Sequence, residues 1–143
     1  MLFRSKVKMA KEETTDLDAI VRRLSKSLFD AETHRERLRI LWEDWGFRLP
    51  MATAVLTVLW PEFFTVYDVR ACEELDGHHD LAAWSGFDRI WSGYVQFRDA
   101  VMAAEPEGAS LRDKDRYLWG RSSARQLEKD IARRFTKPSE PAQ

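Results

Sequence analysis

The sequence predicts an all-α fold, and three observations carry that prediction. Apolar residues recur at three- and four-residue steps through most of the chain, which is the period of an amphipathic helix. Ser, Thr or Asp stands ahead of these segments and Gly or Pro follows several of them, as helix boundaries require. The one stretch of strand-like composition, Phe63-Phe64-Thr65-Val66-Tyr67, has no second stretch of comparable quality to pair with, and a strand without partners is not stable in water.

The elements follow in order. Residues 1–13 are basic, then acidic, without a hydrophobic period, and are expected to form a flexible basic arm. Residues 14–135 are expected to form one helical domain. A first helix runs from Asp16 to Phe29, with Leu17, Ile20, Val21, Leu24 and Leu28 on one face. Asp16 is its N-cap, and Asp18 places negative charge in the first turn, where the helix dipole favours it. A second helix spans Thr33 to Asp44, and Thr33 with Glu36 has the spacing of a capping box. Gly46 stops it, and Pro50 is suited to open the next helix. That third helix, Met51 to Trp60, is apolar on almost every side and is expected to be central and buried. Residues 63–67 then read as an extended connector, and Asp68 as the N-cap of a short helix over 69–75. A loop over 76–86 leads into a helix from Phe87 to Ala104, with Ile90, Trp91, Tyr94, Val95 and Val101 on its apolar side. Residues 105–108 break the chain. Ser110 opens the last helix, which runs to Phe135 with Gly120 as a candidate interruption. Residues 136–143 are polar, contain proline and read as a disordered tail.

Composition limits the function classes. With 44% hydrophobic and 12% aromatic residues, the 143-residue chain is globular in type and long enough to bury a core. A net charge of -1 excludes binding of nucleic acid by overall charge, so any such contact needs a local basic patch. Cys72 is the only cysteine, which excludes a disulfide framework within the chain and any multi-cysteine zinc or iron–sulfur site. It reads as a buried structural thiol. No apolar run approaches the ~20 residues of a membrane span, so a soluble cytoplasmic protein is expected. His78-His79 with Asp80 lacks partner ligands at helical spacing, and no metal or cofactor is expected.

One ordered set of features is distinctive: a helix, a glycine-containing hairpin, an apolar helix, an extended segment and an aspartate at a helix start. It lies in WGFRLPMATAVLTVLWPEFFTVYDVRACEEL, residues 45–75, with a weaker echo in LRDKDRYLW, residues 111–119. This resembles the helix-hairpin-helix DNA glycosylase superfamily, which includes the oxoguanine glycosylases and endonuclease III-like enzymes. The resemblance implies a compact helical domain with a helix-hairpin-helix over residues 34–59, whose hairpin presents backbone N–H groups and a helix N-terminus to a DNA phosphate. It places Gly46 at the first hairpin glycine and Asp68 at the essential aspartate, a carboxylate that stabilises the sugar cation formed when an N-glycosidic bond breaks. The sequence departs from the family in three places. Arg48 occupies the second hairpin glycine, where positive φ would cost an arginine about 1–2 kcal/mol; its side chain offers a direct phosphate contact instead. Pro50 stands where bifunctional members carry a Schiff-base lysine, so any activity should be base removal without imine-mediated strand cleavage. Ahead of the second helix there is room for one helix, fewer than the family uses to wall its base pocket.

Arg121, Arg125, Lys129 and Arg133 recur every four residues and form one basic stripe on a continuous helix, suited to a phosphate backbone. Six tryptophans are mostly core by size, and an exposed one would serve base stacking or a protein partner. Three readings follow: a monofunctional DNA N-glycosylase using Asp68, a DNA- or RNA-binding module without chemistry, and a protein-interaction subunit that keeps the fold.

Overall fold

A computed structural model describes residues 16–136. The basic arm expected over residues 1–13 lies outside the described residues, as does the expected tail beyond Thr136. Among the described residues there are six α-helices: α1 (Leu17–Asp30), α2 (His34–Arg39), α3 (Leu49–Leu59), α4 (Val69–Leu75), α5 (Phe87–Ala103) and α6 (Leu111–Phe135). The chain after α2 runs on as one wider π-helical turn, Ile40–Asp44, and a short 3-10 turn, His79–Ala83, precedes α5. The fold is all-helical, as the periodicity predicts.

The expected caps are in place. The side chains of Asp16, Thr33, Asp68 and Ser110 each accept a backbone N–H from the first turn of the helix they precede. Glu36 does not complete the capping box. Its carboxylate instead takes the guanidinium of Arg39 at 2.5 Å. The widened turn brings Asp44 to the same guanidinium at 3.2 Å, a contact that ordinary i,i+4 spacing does not provide. Gly120 does not interrupt α6, which is continuous.

The centre of the molecule is not α3, as its composition suggests, but α5 and the extended segment laid across it. Ile90, Tyr94, Phe97 and Val101 on α5 are buried, and so are Phe64, Thr65 and Tyr67. Their rings interlock: Phe64 on Tyr94 at 6.0 Å and Tyr67 edge-on to Phe97 at 5.1 Å between centroids, geometries that aromatic quadrupoles favour. α3 buries only one face, Leu49, Ala52, Thr53, Leu56 and Thr57, while Met51 and Val58 are exposed. An apolar composition cannot separate a half-buried helix from a central one. Cys72 is buried, as read.

Two contacts give measurable consequences for stability. A Cβ added at Gly93 on α5 would lie 2.5 Å from Leu81 Cδ1 and 2.7 Å from the Trp84 ring. Gly93→Ala gains about 1 kcal/mol of helix propensity against an overpacking cost of about 1–3 kcal/mol. A net loss of stability is expected in urea unfolding, with the 3-10 turn displaced.

His34 stacks on Phe63 at 4.3 Å and faces the edges of Trp60 and Phe64. Its Nδ1 lies 3.0 Å from Arg37 Nη1. Burial first, then the charges of Arg37 and Arg98, hold its pKa below the ordinary 6.5. The native state therefore binds fewer protons than the unfolded chain between the lowered value and 6.5. Stability from this group is present above 6.5 and is lost as pH falls through that window. The thermal midpoint of the wild type should drop more than that of His34→Gln when pH falls from about 7 to about 5.

Candidate functional site

The extended segment is not a strand because side chains satisfy its backbone. Arg98 Nε donates to Phe63 O at 2.6 Å. The Tyr94 hydroxyl accepts the Thr65 N–H at 3.0 Å and donates to Thr65 O at 2.8 Å. Thr53 Oγ1, on α3, accepts the Tyr67 N–H at 3.0 Å. The Tyr67 hydroxyl in turn donates to His78 O at 2.5 Å, which is the visible part played by the His78-His79 loop. Four anchors from three different parts of the fold thus fix the residues that lead into Asp68.

Asp68 is half-buried at the end of this segment. Its Oδ1 accepts the Ala71 N–H at 2.8 Å and caps α4. Among the described residues Oδ2 has no hydrogen-bond partner. The residue also lines a cleft of about 300 Å³ with Val66, Arg112, Asp115, Arg116 and Trp119. Asp68 thus both caps α4 and lines the cleft.

Asp115 is the residue that sequence reasoning missed. Its side chain is only 6% exposed, and its Oδ2 accepts Arg112 Nη1 at 2.6 Å. Burial pushes its carboxyl above the ordinary range, opposed by Arg112; the nearby Asp68 charge adds to the rise, and the Val66 backbone N–H opposes it. The sequence did hold a sign of it. Leu111, Lys114, Asp115, Leu118 and Ser122 are all buried, and their spacing is that of one helix face. A charge within such a face marks a partnered or functional group. Lys114 beside it is explained by structure alone, since Nζ donates to Met102 O at the C-terminal end of α5, where a cation suits the helix dipole.

Among the tryptophans, Trp119 stands out at 52% exposed. The Arg70 guanidinium lies over its ring at 5.5 Å, and the ring forms part of the cleft wall. The other five are partly buried.

The remaining expected site residues lie in two other places. Gly46 has φ 68, a backbone conformation that favours glycine. Arg48 does not need positive φ: at φ -67 and ψ 153 it is extended, so the expected strain is absent. Its side chain leaves α3 without a side-chain cap. Gly46 and Arg48 line a groove of about 700 Å³ together with Trp42, Phe47 and Trp84. This groove is larger than the cleft but contains neither Asp68 nor Asp115. The basic stripe is divided. Arg121 and Arg125 both bind Glu74, at 3.2 and 3.0 Å, and the Glu74 side chain is 3% exposed. They join α6 to α4. Lys129 and Arg133 are exposed on the last turns of α6 and have no ion-pair partner among the described residues.

No family model matches the chain, and comparison with curated proteins and with solved structures finds no match. No helix among the described residues is long and apolar enough to cross a membrane.

Proposed function

We propose that this protein binds DNA through the α2–α3 hairpin and removes a damaged or modified base by hydrolysis, with Asp68 stabilising the cation that develops on the sugar. The observation that carries this reading is the placement of Asp68. A carboxylate held by its own helix cap on one oxygen, in a cleft that also contains guanidiniums and a tryptophan face, has the components that N-glycosidic cleavage uses. Arg112 and Arg116 suit the flanking phosphates, and the Trp119 ring suits stacking with an extruded base. Arg48 at the uncapped start of α3 gives phosphate a second place to dock. With Pro50 at the position of the family's lysine, the reaction ends at an abasic site without a Schiff base.

The test is direct. Duplexes carrying deaminated, oxidised or alkylated bases are incubated with the protein, and free base is resolved by chromatography. Release without a borohydride-trapped adduct supports the proposal. Tight duplex binding without release from any of these duplexes instead favours a binding module that has no chemistry. Arg48→Ala and Lys129→Ala should each weaken duplex binding and flatten the slope of log affinity against log salt by about 0.9. Unchanged slopes for both would remove the hairpin and the end of α6 from the interface.

A further inference from the structure

The cleft contains two carboxyl groups in different surroundings, and base removal by Asp68 alone leaves the second without a role. Asp68 comes from the extended segment, half-buried and with Oδ2 unbonded among the described residues. Asp115 comes from the second turn of α6, almost fully enclosed, with Arg112 held on its Oδ2. Both line the same space of about 300 Å³. Of the two, Asp115 is the more enclosed, and burial pushes its carboxyl upward, in the direction that favours the protonated form. The groups that bear on Asp115 are few. Arg112 and Arg116 lie on its own helix, Asp68 comes from the segment opposite, and Tyr94 comes from α5. Tyr94 is pushed upward by its own burial and stays neutral. Arg112 opposes proton retention, while burial and the Asp68 charge favour it.

We propose that Asp115 is the general acid of this cleft, delivering a proton to the departing base while Asp68 faces the sugar. This rests on the base-removal reading and adds a second catalytic residue to it. The C1′–N9 bond of a purine nucleotide breaks, and its electron pair goes to the base. The base takes the Asp115 proton at N7 and leaves neutral. Water adds to C1′, and the proton that it sheds restores the acid. The substrate class that needs this help is a neutral base. A base already alkylated at N7 is cationic and departs without it.

Two probes separate these cases: a duplex with one hypoxanthine, a neutral leaving group, and a duplex with one 7-methylguanine, a cationic one. Asp115→Asn should slow hypoxanthine release by roughly 10²-fold or more and 7-methylguanine release by less than about threefold. Wild-type hypoxanthine release should fall as pH rises through the titration of Asp115. That limb should vanish in Asp115→Asn and return in Asp115→Glu, which keeps an acid. A thermal melt of each variant reports folding separately. An equal loss on both duplexes, or no loss on either, overturns the assignment of Asp115 and leaves the role of Asp68 standing. If the wild type acts on only one duplex, its pH profile decides: an alkaline limb unchanged in Asp115→Asn overturns the proposal. No release of either base by the wild type removes the base-removal reading and this assignment together.

Discussion

Asp68→Asn is expected to leave the fold intact and to reduce base release by about 10²–10³-fold, the range for losing one preorganised electrostatic contact to a transition state. Asparagine is the informative replacement. It caps a helix about as well as aspartate, so the Ala71 N–H keeps its acceptor. Only the carboxylate charge is lost. Alanine would confound the result, because losing the cap alone costs about 1 kcal/mol. The measurement is single-turnover base release, with duplex affinity measured alongside. A loss of rate at nearly unchanged affinity assigns the charge to the reaction. A parallel loss of both would make Asp68 a binding residue, and equal rates would make it a helix cap only.

The second large effect concerns stability. Tyr94→Phe removes one hydroxyl and leaves two groups without their partner, the N–H and C=O of Thr65. Thr65 and Tyr94 are both fully buried, so water cannot take the place of the hydroxyl. Each stranded group costs about 1–3 kcal/mol, and the sum is roughly 2–6 kcal/mol. That is a large part of the margin of a small domain. Urea unfolding should show a lower midpoint at an unchanged slope. The loss should also reach the cleft, because Val66 and Asp68 follow directly on the released residue. If Tyr94→Phe changed stability by less than about 0.5 kcal/mol, the clamp on the extended segment would not be what holds it.

Much of this arrangement can be read from the residues. Asp16, Thr33, Asp68 and Ser110 cap the helices that their positions imply, because a short polar acceptor before an apolar period has few other uses. The segment at 63–67 reads as a connector because it lacks a partner strand, and it is one. The side chains that replace the strand, Thr53, Tyr94 and Arg98, are distant in sequence, so local pattern does not show them. α3 looks central because its residues are apolar, but apolar residues are also common on surfaces. The same limit applies to Arg121 and Arg125. A four-residue period places them on one face, but only tertiary structure brings Glu74 under both. Asp115 is hidden by the opposite effect. Charged neighbours surround it in LRDKDRYLW, and its burial follows from the helix face, not from its own type. The Asp68 half of the cleft is thus legible in sequence, whereas the Asp115 half depends on how α6 packs against the extended segment.

The most direct test of the proposed chemistry compares two abasic-site duplexes, one with a neutral tetrahydrofuran sugar and one with a pyrrolidine that carries positive charge at the sugar. The second mimics the cation formed as the base departs. The wild type should bind it at least about 10²-fold more tightly, as enzymes do with analogues of their transition states, and Asp68→Asn should lose that preference. Equal binding of the two duplexes by the wild type would contradict a carboxylate placed to stabilise the sugar cation.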